Sequence, residues 1–454
     1  MALRFVIIGG GPAGTQAATT AARLGAEVTL IERDIIGGAA NLWDCIPSKA
    51  MIATGGQLMQ LRHTTDMGLN AGAAQLDLVA LRGRIEGIVD ALQAGNRRLL
   101  ESQGVNMVKG TGRIFDQQTV LATTAEGDLT FEADAIMVST GSRPRIPDWA
   151  APDGDRVLTT RDAYPPKELP EHLIVIGSGV TGVEFVHMFS SFGSKVTLIV
   201  SRQQVLPSKD PEVAAELEND FLRRGVSLFK GARAVGLDHT EDGGIAVRCD
   251  DGRVARGSHA LLAIGSIPNV EGVGLDKVGV EMNGSWVKSL DHHLRTNVPH
   301  IYVAGDVSGK LPLASVASMQ GRKIAEHVMG LHKVDHRHID YEKAASAIFT
   351  EPEIADVGLA EADAFAEGRK VRVTKVPFVS LAKALINDDP RGFVKIISDP
   401  ATGVVLGGSI VGQHAAELIS VIALAVTASL RVNDIAESLF VHPALAEALA
   451  EAAE

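Results

Sequence analysis

The same glycine-rich pattern occurs twice in this chain, 168 residues apart, and the repeat limits the fold more than any other feature. The first copy is Gly9-Gly10-Gly11-Pro12-Ala13-Gly14, directly after the apolar run Arg4 to Ile8. The second is Gly177-Ser178-Gly179-Val180-Thr181-Gly182, after His172 to Ile176. Each is followed by a helical stretch, Thr15 to Leu24 and Val183 to Phe192. A further apolar strand comes next, Glu27 to Ile31 and Lys195 to Val200. With 47 glycines in 454 residues, three glycines at these offsets arise about 0.5 times by chance, so the bare motif decides little. The order strand, glycine turn, helix, strand is what carries weight. In such a unit the first glycine allows the tight turn, the second lets backbone approach a pyrophosphate, and the third lets helix pack on strand. The helix N-terminus then favours phosphate charge.

The two copies end differently. In the first, the second strand closes in Glu32, 18 residues past Gly14, where a carboxylate accepts hydrogen bonds from both ribose hydroxyls of an adenosine. In the second copy Val200 holds that place, and Ser201 and Arg202 follow. A carboxylate there would repel a 2′-phosphate, whereas a hydroxyl and a guanidinium donate to one. The sequence therefore predicts that NADPH is accepted. The alternative is a solvated Arg202 with NADH used as well.

Composition excludes several classes. The net charge of −12 argues against a nucleic-acid partner, which needs a basic face. The longest apolar stretch, Leu418 to Leu430, is interrupted by Ser and Thr and is too short to span a bilayer. Phe5 to Ile8 runs into glycines and is too short for a secretory h-region. Only Cys45 and Cys249 are present, so no disulfide framework and no metal set is expected, and the expected location is cytoplasmic. Between Gly55 and Gly104, Leu58, Leu61, Leu78, Leu81, Ile85, Ile88 and Leu92 recur at helix spacing and predict a helical hairpin. Arg82, Arg84, Arg97 and Arg98 read as its solvated face. Ala415 to Leu430 reads as a helix with a subunit-interface stripe, and the tail from Ala446 as a weakly amphipathic helix end.

Taken end to end, the chain resembles the flavoprotein disulfide reductases, the family of lipoamide dehydrogenase and glutathione reductase. The resemblance rests on Thr140-Gly141-Ser142 with Pro144, Ala263-Ile264-Gly265 with Pro268-Asn269, and Thr296-Asn297-Val298-Pro299 through Ile301-Tyr302-Val303-Ala304-Gly305-Asp306. It also rests on Phe349-Thr350, Pro352-Glu353-Ile354 and Val357-Gly358. It implies an α/β fold with two Rossmann-like domains, one for FAD and one for NAD(P), plus a C-terminal α+β dimerisation domain. The implied division is 1–147 with 267–336 for FAD, 148–266 for NAD(P)H and 337–454 for a homodimer interface.

The resemblance also implies site residues. Gly9, Gly11, Pro12, Ala13, Gly14, Glu32, Arg33, Gly38, Thr140 and Gly141 belong to the FAD site, as does Asp306 at the ribitol. Gly112 and Ala314 are implied FAD contacts, and Val235 an NAD adenine contact, with plain packing as the alternative for all three. Gly177, Gly179, Val180, Thr181, Gly182, Ser201, Arg202 and Gly265 belong to the nicotinamide cofactor. Lys49 is placed near flavin N5 with Glu184 as its partner, a charge pair suited to an anionic reduced ring; the alternative is an ordinary structural ion pair. His442, oriented by Glu447, is the family's acid/base group for the partner subunit.

One departure bears on the reaction. The family carries Cys-x4-Cys after a Gly-Gly pair, and this chain reads Gly37-Gly38-Ala39-Ala40-Asn41-Leu42-Trp43-Asp44-Cys45. The outer sulfur is replaced by Ala40. A lone thiol cannot cycle between dithiol and disulfide, because exchange needs an attacking and a resolving sulfur. Cys249, at a strand end that the family places far from the flavin, does not replace it. Disulfides such as lipoamide or glutathione are therefore not expected as substrates. Cys45 is left either as a thiolate against the flavin or as a small hydrophobe. His442 has lost its dithiol; it is left to protonate a reduced quinone oxygen, or to help the dimer pack.

The run Leu311 to Arg322, with Ser315 where lipoamide dehydrogenases usually have His, is most similar to the quinone-reducing, lipoamide-dehydrogenase-like branch found in actinobacteria. The expected activity is NAD(P)H to FAD to quinone. A soluble transhydrogenase, or a vestigial binding component of a larger dehydrogenase complex, remain as rival readings.

Overall fold

The computed structural model describes residues 2–62, 67–69, 72, 74–331 and 338–454. The chain folds into two compact units: Met1–Ser48, Val79–Pro144 and Ser266–Tyr341 form one, and Lys49–Leu78, Arg145–Gly265 and Glu342–Glu454 the other. The expected boundary at 336/337 lies outside the described residues.

The first unit is built on a five-stranded parallel sheet in the order Ile301–Val303, Ala135–Val138, Arg4–Ile8, Glu27–Glu32, Asn106–Lys109. Its central strand is buried from Phe5 to Ile8, as a strand covered on both faces must be. The fingerprint helix, Pro12–Arg23, presents small residues to the Ala314–Val328 helix, and the two come so close that a Cβ on Gly321 would sit 2.1 Å from the Ala13 carbonyl oxygen. The unit also holds a three-stranded antiparallel sheet of Thr111–Asp116, Thr119–Thr124 and Gly127–Glu132, and two short antiparallel pairs, Ser142–Pro144 with Ser266–Pro268 and Met282–Asn283 with Trp286–Val287.

The second unit repeats this plan. Its parallel sheet runs Ser227–Lys230, Lys195–Val200, His172–Ile176, His259–Leu262, Val157–Thr159, again with a small antiparallel sheet, Ala234–His239, Ile245–Cys249 and Val254–Gly257. The C-terminal part of the unit is a five-stranded antiparallel sheet, Ser346–Ile348, Ile354–Gly358, Val405–Val411, Phe393–Ser398, Arg372–Pro377, with helices packed on it. The α/β class with two doubly wound sheets and a C-terminal α+β part is thus as the sequence implied.

Helices Ile46–Arg62 and Leu78–Ser102 form where the leucine pattern predicted a hairpin. Its stripe differs in detail: Leu81, Ile85 and Val89 are buried, while Leu92, on the same face by helix phase, is exposed. The apolar stripe of Ala415–Ala428 also has a different role from the one expected. Ala415, Ile419, Ile422, Ala425 and Val426 pack into the core of their own sheet, and Leu424 is exposed on the outer face. The C-terminal tail forms the helix Glu447–Ala453, as read, and it is core, with Ala448, Leu449, Ala452 and Ala453 buried.

Candidate functional site

The six residues of each fingerprint divide by what surrounds them. A Cβ on Gly9 would meet the Ser139 carbonyl at 2.3 Å, and one on Gly14 would meet the Gly9 carbonyl at 1.9 Å. The same holds for Gly177 against Ala263 at 2.3 Å and Gly182 against Gly177 at 1.9 Å. A Cβ on Gly11 or Gly179 would meet nothing within 4 Å. The outer glycines are thus fixed by close packing, and the middle ones border open space. That is the arrangement a pyrophosphate needs if it is to approach bare backbone at a helix start. Both copies fit a dinucleotide on this observation.

Beside the first fingerprint, Glu32 accepts from the Gly10 N–H at 2.6 Å and from the Asp34 N–H at 2.5 Å. Each of its oxygens retains a lone pair for a ribose hydroxyl. Arg33 is exposed next to it, 3.5 Å from Asp34. The Gly37–Gly38 loop crosses the fingerprint: Gly37 donates to the Gly10 carbonyl at 2.8 Å, and a Cβ on Gly38 would sit 2.8 Å from the Gly11 Cα. Pro12 and Ala13 open the fingerprint helix.

Thr140 and Gly141 are locked to Asn269, just past the Ser266–Pro268 strand. Thr140 Oγ1 donates to the Asn269 carbonyl at 2.6 Å, and Asn269 Nδ2 donates to the Thr140 carbonyl at 2.9 Å. Asp306 follows Gly305, whose φ of +73° favours glycine, and its carboxylate accepts from Ser142 Oγ at 2.6 Å. Ser142 and Asn269, here hydrogen-bond partners of the expected site residues, carried no sequence signal beyond their place in the family motifs. Gly112 is buried with no room for a side chain, its Cβ position 2.9 Å from Ile8, so packing alone accounts for the glycine. Ala314 starts its helix exposed, beside exposed Ser315.

At the second fingerprint Gly179, Val180 and Thr181 are exposed. Val200 is buried, and Ser201 and Arg202 turn outward. The Arg202 carbonyl accepts from Gly231 N–H at 2.9 Å, which fixes its backbone, while among the described residues its guanidinium makes no ion pair. Val235 is exposed on the Ala234–His239 strand, and Gly265, with φ +92°, accepts from Arg145 N–H at 2.9 Å.

Lys49 and Glu184 meet as the sequence implied. Lys49 Nζ lies 2.9 and 3.1 Å from the two Glu184 oxygens, and Glu184 also accepts from the Phe349 N–H at 3.0 Å. Glu184 is buried, while the Lys49 side chain keeps 33 % exposure and stands 4.8 Å from the centre of the Phe349 ring. Glu184 sits one turn before His187 on the Val180–Phe192 helix. His187 is fully buried, and burial first, then the nearby Arg224 and Arg391 charges, push its imidazole well below the ordinary range. Neither His187 nor these arginines was legible as a site.

The segment that replaces the family's cysteine pair is a π-turn, Ala40–Asp44, in which Cys45 N–H donates to the Ala40 carbonyl at 3.1 Å. An i to i+5 bond stacks position 40 against position 45, and such turns concentrate at functional sites. Cys45 is half-buried in the first unit; Cys249 is buried in the core of the second, and burial raises its thiol above the ordinary range. At the C-terminus His442 Nδ1 lies 2.8 Å from Glu447, which also accepts from the Ala444 N–H at 2.9 Å. Those two bonds, the backbone one first, hold the Glu447 carboxyl below its usual range. His442 is 74 % exposed in its side chain and presents its other ring edge outward. Its neighbours Leu439 and Val441 are exposed too.

Among the described residues there is no group of His, Cys, Asp and Glu able to hold a metal, and no helix long and apolar enough to cross a membrane. Comparison with known proteins agrees with the geometry. Residues 3–321 match the pyridine nucleotide-disulphide oxidoreductase model, and residues 344–453 match the dimerisation domain of the same family. The chain is 42% identical over 465 residues to an NAD(P)H dehydrogenase (quinone) of Mycobacterium tuberculosis, covering 100% of this chain and 94% of that one. It is 36% identical over 453 residues to the dihydrolipoyl dehydrogenase of Chlamydia muridarum, covering 99% and 95%. The crystal structure of LpdA from Mycobacterium tuberculosis superposes with a TM-score of 0.94 at 42% identity, over 99% of each chain. The chain is an oxidoreductase that belongs to the pyridine nucleotide-disulphide oxidoreductase family, whose members use FAD and NAD(P)H.

Proposed function

We propose that this protein is an FAD-dependent NAD(P)H:quinone oxidoreductase that works without a redox-active disulfide. The observation that carries this reading is Ala40 joined to Cys45 by a backbone hydrogen bond in the turn where the family places two sulfurs. The similarity to a quinone dehydrogenase over the whole chain supports it. Residues 1–147 and 267–336 are assigned to FAD, 148–266 to the nicotinamide cofactor and 337–454 to a homodimer interface. Exposed Leu424, Leu439 and Val441 favour a covered C-terminal face. A cytoplasmic location belongs to the same proposal.

Bound FAD supplies a two-electron centre that accepts hydride from NAD(P)H and returns electrons to a quinone. The chain's part is to hold and to tune. Gly9, Gly11 and Gly14 admit the pyrophosphate, with Pro12 and Ala13 at the helix start; Glu32 takes the ribose, and Asp306 the ribitol. Lys49 presents a cation whose place Glu184 fixes. Gly177, Gly179, Val180, Thr181 and Gly182 admit the second pyrophosphate. Ser201 and Arg202 donate to a 2′-phosphate. Cys45 keeps a thiol at the flavin-side position, and His442, steadied by Glu447, delivers a proton to quinone oxygen.

The nucleotide assignment has a direct test. Arg202→Glu removes a charge-assisted donor worth roughly 1.5–3 kcal/mol, so KM for NADPH rises about 10- to 100-fold while KM for NADH changes little. Equal changes for both cofactors would show that Arg202 is a solvated surface residue. For the proton, His442→Ala lowers kcat with menadione about 100-fold, the low end of general-acid effects, and leaves flavin reduction by NAD(P)H unchanged. Unchanged kcat and KM would remove His442 from the chemistry. The overall reading is tested by an acceptor panel of menadione, a benzoquinone, lipoamide, oxidised glutathione and thio-NAD with each reduced nicotinamide. Turnover confined to thio-NAD would make the protein a transhydrogenase.

A further inference from the structure

A circuit of contacts passes through the Glu184 carboxylate. It starts where the Phe349 N–H donates to Glu184 at 3.0 Å. Two residues further along the chain, Glu351 pairs with Arg391 at 3.1 Å. Arg391 reaches Asp220 at 2.9 Å and is gripped from its other edge by Asp389 at 2.6 Å. Asp220, buried on the Pro211–Arg223 helix, also pairs with Arg224 at 3.4 Å. Arg224 then returns to the starting helix. It donates to His187 Nδ1 at 3.0 Å, to the His187 carbonyl at 3.0 Å, and to Ser190 and Ser191 Oγ at 2.7 Å each. His187 is one turn past Glu184, so the chain of contacts begins and ends on one helix.

We propose that Arg391 is a positioning residue: through Glu351 on one side and Asp220–Arg224–His187 on the other it sets where Glu184 holds Lys49. Because an arginine only donates, His187 Nδ1 must accept, which fixes the imidazole as neutral and suits its buried place. Burial acts against the Arg391 charge, but Asp389, then Asp220 and Glu351, more than reverse this, so the guanidinium stays charged. Its planar fork touches three carboxylates from three segments through three separate nitrogens, a fixed geometry that the single nitrogen of a lysine does not reproduce. Lys49 joins the ring through Glu184 and keeps about a third of its side chain exposed.

This inference rests on the reading that Lys49 acts on the flavin, so the test includes that residue. The experiment measures the midpoint potential of bound flavin and its rate of reduction by saturating NADPH, alongside hydrogen exchange of the 180–192 peptide. Arg391→Lys is expected to move the potential in the same direction as Lys49→Met. It slows reduction about 10-fold, within the range by which remote residues modulate coupling, and leaves NADPH affinity within about twofold. It also speeds exchange in the 180–192 peptide. Lys395→Met is the control: it breaks a buried ion cluster with Asp210, Glu212 and Glu361 in the same unit but outside the ring. It should lower thermal stability without moving the potential. Glu351→Gln, a softer break at a part-exposed residue, serves if Arg391→Lys fails to fold. If Lys49→Met moves the potential and Arg391→Lys and Glu351→Gln do not, the positioning role is overturned. If Lys395→Met moves it equally, the effect is general loosening and the role is again overturned. If Lys49→Met itself does nothing, the underlying reading of Lys49 fails first.

Discussion

Lys49→Met is expected to slow flavin reduction by NADPH about 10²- to 10³-fold, the loss typical of removing one preorganised charge from a site of developing charge. Glu184 is buried and, among the described residues, has two partners, the Lys49 ammonium and the Phe349 N–H. Without Lys49 the carboxylate keeps a single neutral donor, and the cation intended for the flavin is gone. Breaking a fully buried pair costs about 3–5 kcal/mol, and the partial exposure of Lys49 places this one nearer about 2–3 kcal/mol. The variant therefore folds and is less stable, while it still binds FAD through the first fingerprint. Stopped-flow reduction monitored at the flavin band checks the rate, and FAD content after gel filtration checks binding. Reduction within twofold of the parent would leave Lys49–Glu184 as a structural ion pair only.

The second large effect is a gain. Ala40→Cys restores the family's two sulfurs on the π-turn that already links positions 40 and 45 through a 3.1 Å backbone bond. Oxidation is expected to close a disulfide to Cys45. Denatured thiol titration then finds one thiol, Cys249, against two in the parent. Lipoamide turnover should rise at least about 100-fold from a parent that has no exchange route. His442 and Glu447 are already in place to serve that chemistry, with the ring and carboxylate 2.8 Å apart. An Ala40→Cys protein that forms the disulfide yet turns over no lipoamide would show that the acceptor channel, and not only the missing sulfur, has changed.

Much of this was legible in the sequence for a physical reason. Glycines at 9, 14, 177 and 182 are demanded by backbone atoms within 2.3 Å of where a side chain would begin, so they announce the turn wherever it occurs. Strands buried on both faces, such as Arg4–Ile8 and His172–Ile176, read as continuous apolar runs. The Lys49–Glu184 pair came only from the resemblance, because the residues are 135 apart and no periodicity joins them. The Arg391 ring was not legible at all. Its members come from distant segments, and a lone Arg or His in sequence does not show what it will face once folded. The stripe on Ala415–Ala428 reads as a subunit interface but covers its own sheet, since an apolar helix face looks the same in either place. The Glu447–Ala453 helix was undervalued because alanine carries little apolar signal, yet four of its seven residues are buried.

On this account electrons leave the flavin without passing through a disulfide. The most direct test reduces the FAD-loaded enzyme with one equivalent of NADPH and mixes it in a stopped-flow instrument with menadione, or with lipoamide, under anaerobic conditions. Rapid return of the oxidised flavin spectrum is expected with menadione, and none above the uncatalysed rate with lipoamide. Reoxidation by lipoamide at a comparable rate, with menadione inert, would contradict it.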